Sequence, residues 1–291
     1  MPAQSTIAAP RADTGSSRAW TLYARMKNAA YSYPDTPAVA VHAAAGFNAQ
    51  KPLQLVVFLH GYQGCVRVLM EKGAVGCKTE SALQPGWGLA EHHDSADTNT
   101  LFVIPQLAFM KRDGNPGCFM NEGCFQGFLQ ELLSETLAEK LARPRTLKHI
   151  AGITLVAHSA GFETALAILQ NGKVNSLVRA LVLLDALYAG VDGFSRWFSE
   201  TSAMSTRLIS IYLRSGKTYR QNLLLHRRLE RITGRQGVTL LTSGEIQPAI
   251  CSFRAVIASG RGSHGRAPQN YLSTVLSALG SCPAGLAPPL R

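Results

Sequence analysis

Ser159 sits in Ala157-His158-Ser159-Ala160-Gly161, between an apolar run, Ile153-Thr154-Leu155-Val156, and a helix-like run from Phe162 to Leu169. A serine on a sharp strand-to-helix turn, with small residues two before and two after it, has the form of a nucleophile elbow. The small residues are needed because strand and helix pass close together there and the serine backbone is strained. Such a serine attacks an acyl carbon. The chain must then also supply a base, an acid that orients the base, and two N–H donors for the negative oxygen that develops.

The base takes a proton from the serine hydroxyl and later returns it to the leaving group, which suits histidine because its pKa lies near neutrality. Of the eight histidines, His264 is the best placed. It lies late in the chain, after a strand candidate, in the loop Ser259-Gly260-Arg261-Gly262-Ser263-His264-Gly265, where glycines let the loop project an imidazole. His158 adjoins the serine but points elsewhere, because neighbouring residues of a turn do not face each other. Asp185 ends the apolar run Ala180–Leu184, and an ionised group there needs a partner. Its other reading is an Asp that caps the following turn, and Asp192 and Glu245 are the reserve acids. One oxyanion donor is the N–H of Ala160, inside the elbow. The other is expected from the turn after Leu53–Leu59, His60-Gly61-Tyr62-Gln63-Gly64, where Gly61 lets the backbone turn sharply.

With a His-Gly turn after an early strand, the elbow, and the order Ser, then acid, then His, the chain resembles the α/β-hydrolase family over roughly residues 50–280. The resemblance implies an α/β-hydrolase fold with a mostly parallel central sheet flanked by helices. It also implies a serine hydrolase with the triad Ser159, His264 and Asp185. Tyr62, the residue after His-Gly, becomes the second oxyanion donor beside Ala160. Two features depart from the family pattern. Ala157 stands where the motif has glycine, as it does in some lipases. In much of the family the acid follows the second strand after the nucleophile, but here that loop, Arg214-Ser215-Gly216-Lys217, holds no carboxylate. The acid therefore moves one strand earlier, to Asp185, an arrangement shared with pancreatic-type lipases and many thioesterases. The activity implied is cleavage of carboxylic esters through an acyl-enzyme, with no cofactor and a small-molecule or polymeric acyl substrate. A peptidase or amidase of the same fold is the alternative, and a binding protein on an inactive hydrolase fold is the second.

Positioning these residues requires alternating strands and helices. Leu53–Leu59, Thr100–Ile104, Ile153–Val156, Ala180–Leu184 and Leu208–Leu213 read as buried strands, which argues for an α/β fold. Val238–Leu241 and Arg254–Ala258 compete to be the last strand of the sheet. Phe125, Phe128, Leu129, Leu132, Leu133, Leu137 and Leu141 fall at helical spacing, with Pro144 as the stop. Further helices are predicted after Ser159 to Asn171-Gly172, over Tyr219–Ile232 and over Gln269–Leu279. The domain organisation is a flexible lead-in over 1–20 and one α/β domain over 21–291, with loop insertions at about 105–125 and 186–204, and a loose end from Pro283 to Arg291.

Gln106, Tyr188 and Trp197 are the candidate substrate contacts. Gln106 opens at the carboxyl edge of the Thr100–Ile104 strand, where α/β sites lie. The segment Leu107 to Phe125 could form a stapled loop over the pocket or a packed surface loop. Phe194, Trp197 and Phe198 have the i, i+3, i+4 spacing of a helix packing face, with a lid or acyl pocket as the sharper reading. Glu91-His92-His93-Asp94, with Asp97, resembles metal ligands, but no second histidine cluster completes it in sequence. It is read as a polar, exposed segment, and no metal is expected.

The chain of 291 residues is 46% hydrophobic, with a mean hydropathy of +0.04, enough for a sizeable buried core. No apolar run is long enough for a transmembrane segment. Its six cysteines include no C-x-x-C, so a zinc ribbon or a thioredoxin-like site is poorly supported. They fall in neighbouring pairs, which suggests Cys65–Cys77, Cys118–Cys124 and Cys251–Cys282 as disulfides in a secreted or periplasmic protein. Reduced buried cysteines are the other reading. An exported protein is made with a signal peptide, yet residues 1–20 have no apolar core for one, and Met1-Pro2-Ala3-Gln4-Ser5-Thr6 looks like a start codon placed on a mature sequence. The net charge of +11 reads either as general surface charge that favours solubility or, more sharply, as attraction to an anionic surface. Nucleic acid is not expected, because the basic residues are scattered apart from Arg227, Arg228, Arg231 and Arg235, which read as one solvated helix face. A monomer is the expectation.

Overall fold

Leu53, Leu55, Val57 and Leu59 bury their side chains on one side of their strand, and Val56 and Phe58 bury theirs on the other. A strand dry on both sides belongs inside a sheet covered on both faces. A computed structural model of the chain describes residues 18–78, 81–109, 113–201, 206–214, 216–243 and 245–282. Residues 1–17 of the lead-in, the end from Pro283 to Arg291, and Ser215 lie outside the described residues.

The strands are β1 (Trp20–Ala24), β2 (Val39–Ala43), β3 (Leu53–Leu59), β4 (Ala74–Gly76), β5 (Leu83–Pro85), β6 (Thr100–Pro105), β7 (Ile150–His158), β8 (Val178–Leu184), β9 (Arg207–Leu213), β10 (Val238–Leu241) and β11 (Ala255–Gly260). Among the described residues, nine of them form one sheet in the order β1-β2-β6-β3-β7-β8-β9-β11-β10, and β4 and β5 form a separate ribbon. From β6 to β10 every pairing is parallel, while β2 runs antiparallel to both β1 and β6. Both late strand candidates are therefore real. β11 is the last strand in the chain, and β10 is the edge.

Period-two alternation decides which helices each face receives. One face packs with α1 (Val66–Met70), α2 (Leu89–Asp94), α7 (Ile246–Ser252) and α8 (Ala267–Ser281). The other packs with α3 (Cys124–Glu131), α4 (Gly161–Asn171), α5 (Val191–Glu200) and α6 (Tyr219–Thr233). Phe58 and Phe102 are fully buried on the first face and Leu155 and Phe128 on the second. Each such side chain stabilises the fold by about 1.5–3 kcal/mol relative to exposure.

The run from Phe125 to Leu141 is not one continuous α-helix. α3 ends at Glu131, residues Leu132–Thr136 form a wider π-turn, and the Leu137 N–H bonds to the Leu132 carbonyl at 2.9 Å. All seven apolar residues are still buried, because the wider turn re-aims Leu137 and Leu141 at the same core. The Leu133 carbonyl accepts from the Arg145 N–H at 3.0 Å, so the chain doubles back around this turn.

The three cysteine pairs are joined as the sequence neighbourhood suggests, with Cα separations of 5.8, 6.0 and 5.1 Å for Cys65–Cys77, Cys118–Cys124 and Cys251–Cys282. These lie in the ordinary range for disulfides. Among the described residues, no helix is long and apolar enough to cross a membrane.

Candidate active site

β7 delivers His158 and Ser159 to the carboxyl edge of the sheet, and α4 leaves from Gly161. Ser159 has φ 54°, the left-handed region that costs a non-glycine residue roughly 1–3 kcal/mol. Close packing holds it there. A Cβ on Gly161 would overlap the Leu59 carbonyl, and one on Gly61 would lie 2.6 Å from Ser159 Cβ. The turn after β3 is thus pressed against the serine. Ala160 follows Ser159 and Tyr62 follows Gly61, so the two expected oxyanion donors flank this contact in sequence.

His60 anchors that turn. Its Nε2 accepts from the Leu107 N–H at 2.9 Å, which leaves Nδ1–H to donate to the Gly61 carbonyl at 2.8 Å. Burial pushes its pKa down to about 4, so the ring is neutral near pH 7. Gln106 does not face the cleft as a substrate contact. It is fully buried, its Oε1 accepts from the Val66 N–H at 3.1 Å, and its Nε2 donates to the Gly64 and Leu107 carbonyls, each at 3.0 Å. With both ends of the amide engaged, it braces the turn from below.

His264 lies just beyond β11, ahead of α8. Its Nε2 is 2.9 Å from Ser159 Oγ, and its Nδ1 is 2.7 Å from Asp185 Oδ2. Asp185 follows β8 directly, with φ 46°, and is 3% exposed. Its Oδ1 accepts from the Leu213 N–H at 3.2 Å and from the Thr218 hydroxyl. The loop after β9 lacks a carboxylate, but it supplies donors to the carboxylate one strand away. Burial works against ionisation of Asp185, yet the hydrogen bonds from His264, Thr218 and the Leu213 amide outweigh it and hold the carboxyl below its ordinary value. An ionised Asp185 only accepts, so His264 carries its proton on Nδ1 and turns a free lone pair on Nε2 toward Ser159. The reserve acids lie elsewhere. Asp192 is exposed on α5 and paired with Arg228, and Glu245 is exposed before α7.

His158 points away from the serine hydroxyl, as expected of its position, but it has a role that the sequence did not reveal. Its Nε2–H donates to the His264 carbonyl at 3.0 Å, and the two rings lie 4.8 Å apart. Burial, assisted by the His264 ring, lowers its pKa to about 4. Thr218 also escaped the sequence reading, since nothing marks a lone threonine after a strand as a carboxylate partner.

These buried neutral histidines make a pH prediction. His60 and His158 titrate near 6.5 when unfolded and near 4 when folded. Between those values the unfolded chain binds more protons, so stability is complete above about pH 6.5 and falls as pH drops toward 4. The urea midpoint is expected to be clearly lower at pH 5 than at pH 7.5. An unchanged midpoint would mean that these rings are not buried and neutral.

Tyr188 stands at the site, with its ring 6.1 Å from His264 and 6.2 Å from Phe162. Burial raises its phenol pKa, the Asp185 charge adds to the rise, and a side-chain hydrogen bond with Ser159 opposes it. Trp197 does not line the cleft. Phe194, Trp197 and Phe198 are buried against the core as the packing face of α5. In the 105–125 segment, Gly114 packs against the Ala160 carbonyl and Glu163, which brings this stapled loop beside the elbow. In Glu91-His92-His93-Asp94 the two carboxylates are exposed and His92 is half-buried, as a polar surface segment would have them, but His93 is not. Glu91 to Asp94 end helix α2, and His93 is fully buried.

No family model matches the chain, and no curated protein sequence matches it. Solved structures do. A serine-to-alanine mutant of the feruloyl esterase module from Clostridium thermocellum, complexed with sinapinate, superposes with a TM-score of 0.54 at 11% identity, covering 93% of this chain and 92% of that one. A protein called FAE superposes with a TM-score of 0.52 at 12% identity, covering 93% and 92%. The chain has the α/β-hydrolase fold.

Proposed function

We propose that the protein is a serine hydrolase that cleaves carboxylic esters through an acyl-enzyme. The observation that carries this reading is the hydrogen-bonded series Asp185–His264–Ser159, ending at a strained serine on a strand-to-helix turn. A fold hosts many activities, so the site and not the fold bears the argument. In the first step Ser159 Oγ bonds to the acyl carbon while its proton passes to His264 Nε2. The carbonyl oxygen becomes an oxyanion, received by the Ala160 and Tyr62 N–H groups. Collapse breaks the C–O bond to the alcohol, which takes the proton from His264. Water then repeats the sequence and releases the acid, with Asp185 stabilising the imidazolium in both halves.

An ester is favoured over an amide because its leaving alcohol needs less help from His264 than an amine does. The similar feruloyl esterase module was complexed with sinapinate, and Tyr188 puts aromatic surface beside Ser159 here, so aromatic acyl groups belong in the first substrate panel. Three disulfides suit an oxidising compartment, and export to the periplasm or medium follows from them as part of this proposal.

The test joins a fluorophosphonate probe to a matched substrate set. At pH 7.5 the folded protein is expected to take up one probe, at Ser159. It is expected to cleave p-nitrophenyl esters and methyl sinapinate faster than anilides of the same acids. Faster cleavage of the anilides would convert the reading to an amidase, and an unlabelled Ser159 in folded protein would favour the binding-protein alternative.

A further inference from the structure

His93 is fully buried, and its Nδ1 has no hydrogen-bond partner. A buried polar atom without a partner is uncommon and asks for an explanation. The other ring nitrogen, Nε2, lies 2.7 Å from Thr100 Oγ1, which in turn lies 3.0 Å from Thr98 Oγ1. His42, on β2, repeats the arrangement. Its Nδ1 lies 2.8 Å from Thr21 Oγ1 on β1, and its Nε2 faces Asp94, 2.8 Å from Oδ1. Each imidazole is thus held by a threonine hydroxyl on one ring nitrogen, which leaves the other nitrogen for a further partner. One ring nitrogen of His42, one of His93 and an Asp94 carboxylate oxygen all lie within 4.8 Å of one another. The two rings cross at 85°, and His93 is fixed by stacking on Phe102 at 5.2 Å.

We propose that His42, His93 and Asp94 bind one divalent transition-metal ion of the zinc type. Two imidazoles and a carboxylate are ligands that zinc takes, whereas calcium and magnesium want oxygen alone. Outer-shell groups that orient the ligating histidines are a regular part of such sites, and Thr21 and Thr100 fill that place. A tetrahedral zinc with bonds of about 2.0–2.2 Å sets its ligand atoms roughly 3.4 Å apart. Small side-chain rotations bring the cluster to that size. The Asp94 side chain is 40% exposed while His42 is 5% exposed, so water reaches the fourth position from the Asp94 side.

The site lies away from the serine. Thr100 opens β6, and β6 and β7 run parallel from that end toward the edge where Ser159 stands. The ion would therefore clamp β1, β2, α2 and β6 together and take no part in the chemistry at Ser159. The sequence hid the site because His42 lies 52 residues before Asp94, on a strand of its own.

The experiment uses the full chain stripped with a chelator and dialysed free of it. Cobalt is titrated and followed by visible absorption, and zinc is titrated by calorimetry. One cobalt ion per chain is expected, with the intense bands of a four-coordinate site. Asp94→Asn is expected to weaken binding at least tenfold, and His42→Gln likewise, with circular dichroism checking the fold of each. His92→Ala, on the same helix but outside the cluster, is expected to leave affinity unchanged. Zinc at a hundredfold over its Kd is expected to raise Tm of the wild type by about 5 °C and that of Asp94→Asn much less. Absence of binding at millimolar metal overturns the proposal. So does equal affinity in wild type, Asp94→Asn and His42→Gln, which would put the ion elsewhere.

Discussion

Ser159→Ala is expected to lower kcat on p-nitrophenyl esters by about 10⁵–10⁶-fold with little change in KM, because the bond it removes is made only on the way to the transition state. The variant should fold. Ser159 is partly exposed, and its hydroxyl is hydrogen-bonded to His264 and Tyr188. The β-carbon that fits against Gly61 is retained in alanine, so the packing of the elbow survives. A residual rate above that in water is expected, since the oxyanion donors and the binding surface remain. The control is His264→Ala. If serine and histidine act as one unit, the double variant is no slower than either single one. A Ser159→Ala protein that keeps even a tenth of the wild-type rate would show that another nucleophile, or a bound water, does the chemistry.

The residues that carry this chemistry could be read in sequence to different depths, for physical reasons. Ser159 was legible because the elbow compresses strand, turn and helix into a few residues with small neighbours. The central strands were legible because burial on both faces leaves a continuous apolar run, as in Leu53–Leu59. The first two strands, β1 and β2, were not. β1 is only half buried, and β2 carries His42 in its middle. No periodicity reports that a distant aspartate will satisfy a histidine. Gln106 was placed correctly at the strand end but given the wrong task, because sequence shows where an amide lies and not which way it turns. The α5 aromatics were ambiguous for a related reason, since a packing face and a pocket wall share one spacing. The π-turn at Leu132–Thr136 was hidden because its register shift still lets Leu137 and Leu141 reach the core.

Asp185→Asn is expected to cut kcat by about 10⁴-fold while leaving the fold intact, and the cause can be derived from the partners of each oxygen. Oδ1 receives two donors, the Leu213 N–H and the Thr218 hydroxyl. An asparagine must place its carbonyl oxygen there, since an amide NH₂ in that position would oppose the Leu213 N–H. Its NH₂ then faces His264 Nδ1 and demands an acceptor. The imidazole has to move its proton to Nε2, where it points at Ser159 as a donor and can no longer take the serine proton. The loss therefore comes from the wrong tautomer as well as from the missing charge, and it should appear in kcat with KM nearly unchanged. The Thr218 hydroxyl can turn either to donate or to accept, so the fixed Leu213 N–H sets this lock, and an Asp185→Asn, Thr218→Val protein is expected to be no more active than the single variant. Stopped-flow or steady-state rates on one p-nitrophenyl ester, with unfolding midpoints as a check on the fold, decide the matter. An Asp185→Asn protein within tenfold of wild type would remove Asp185 from the triad.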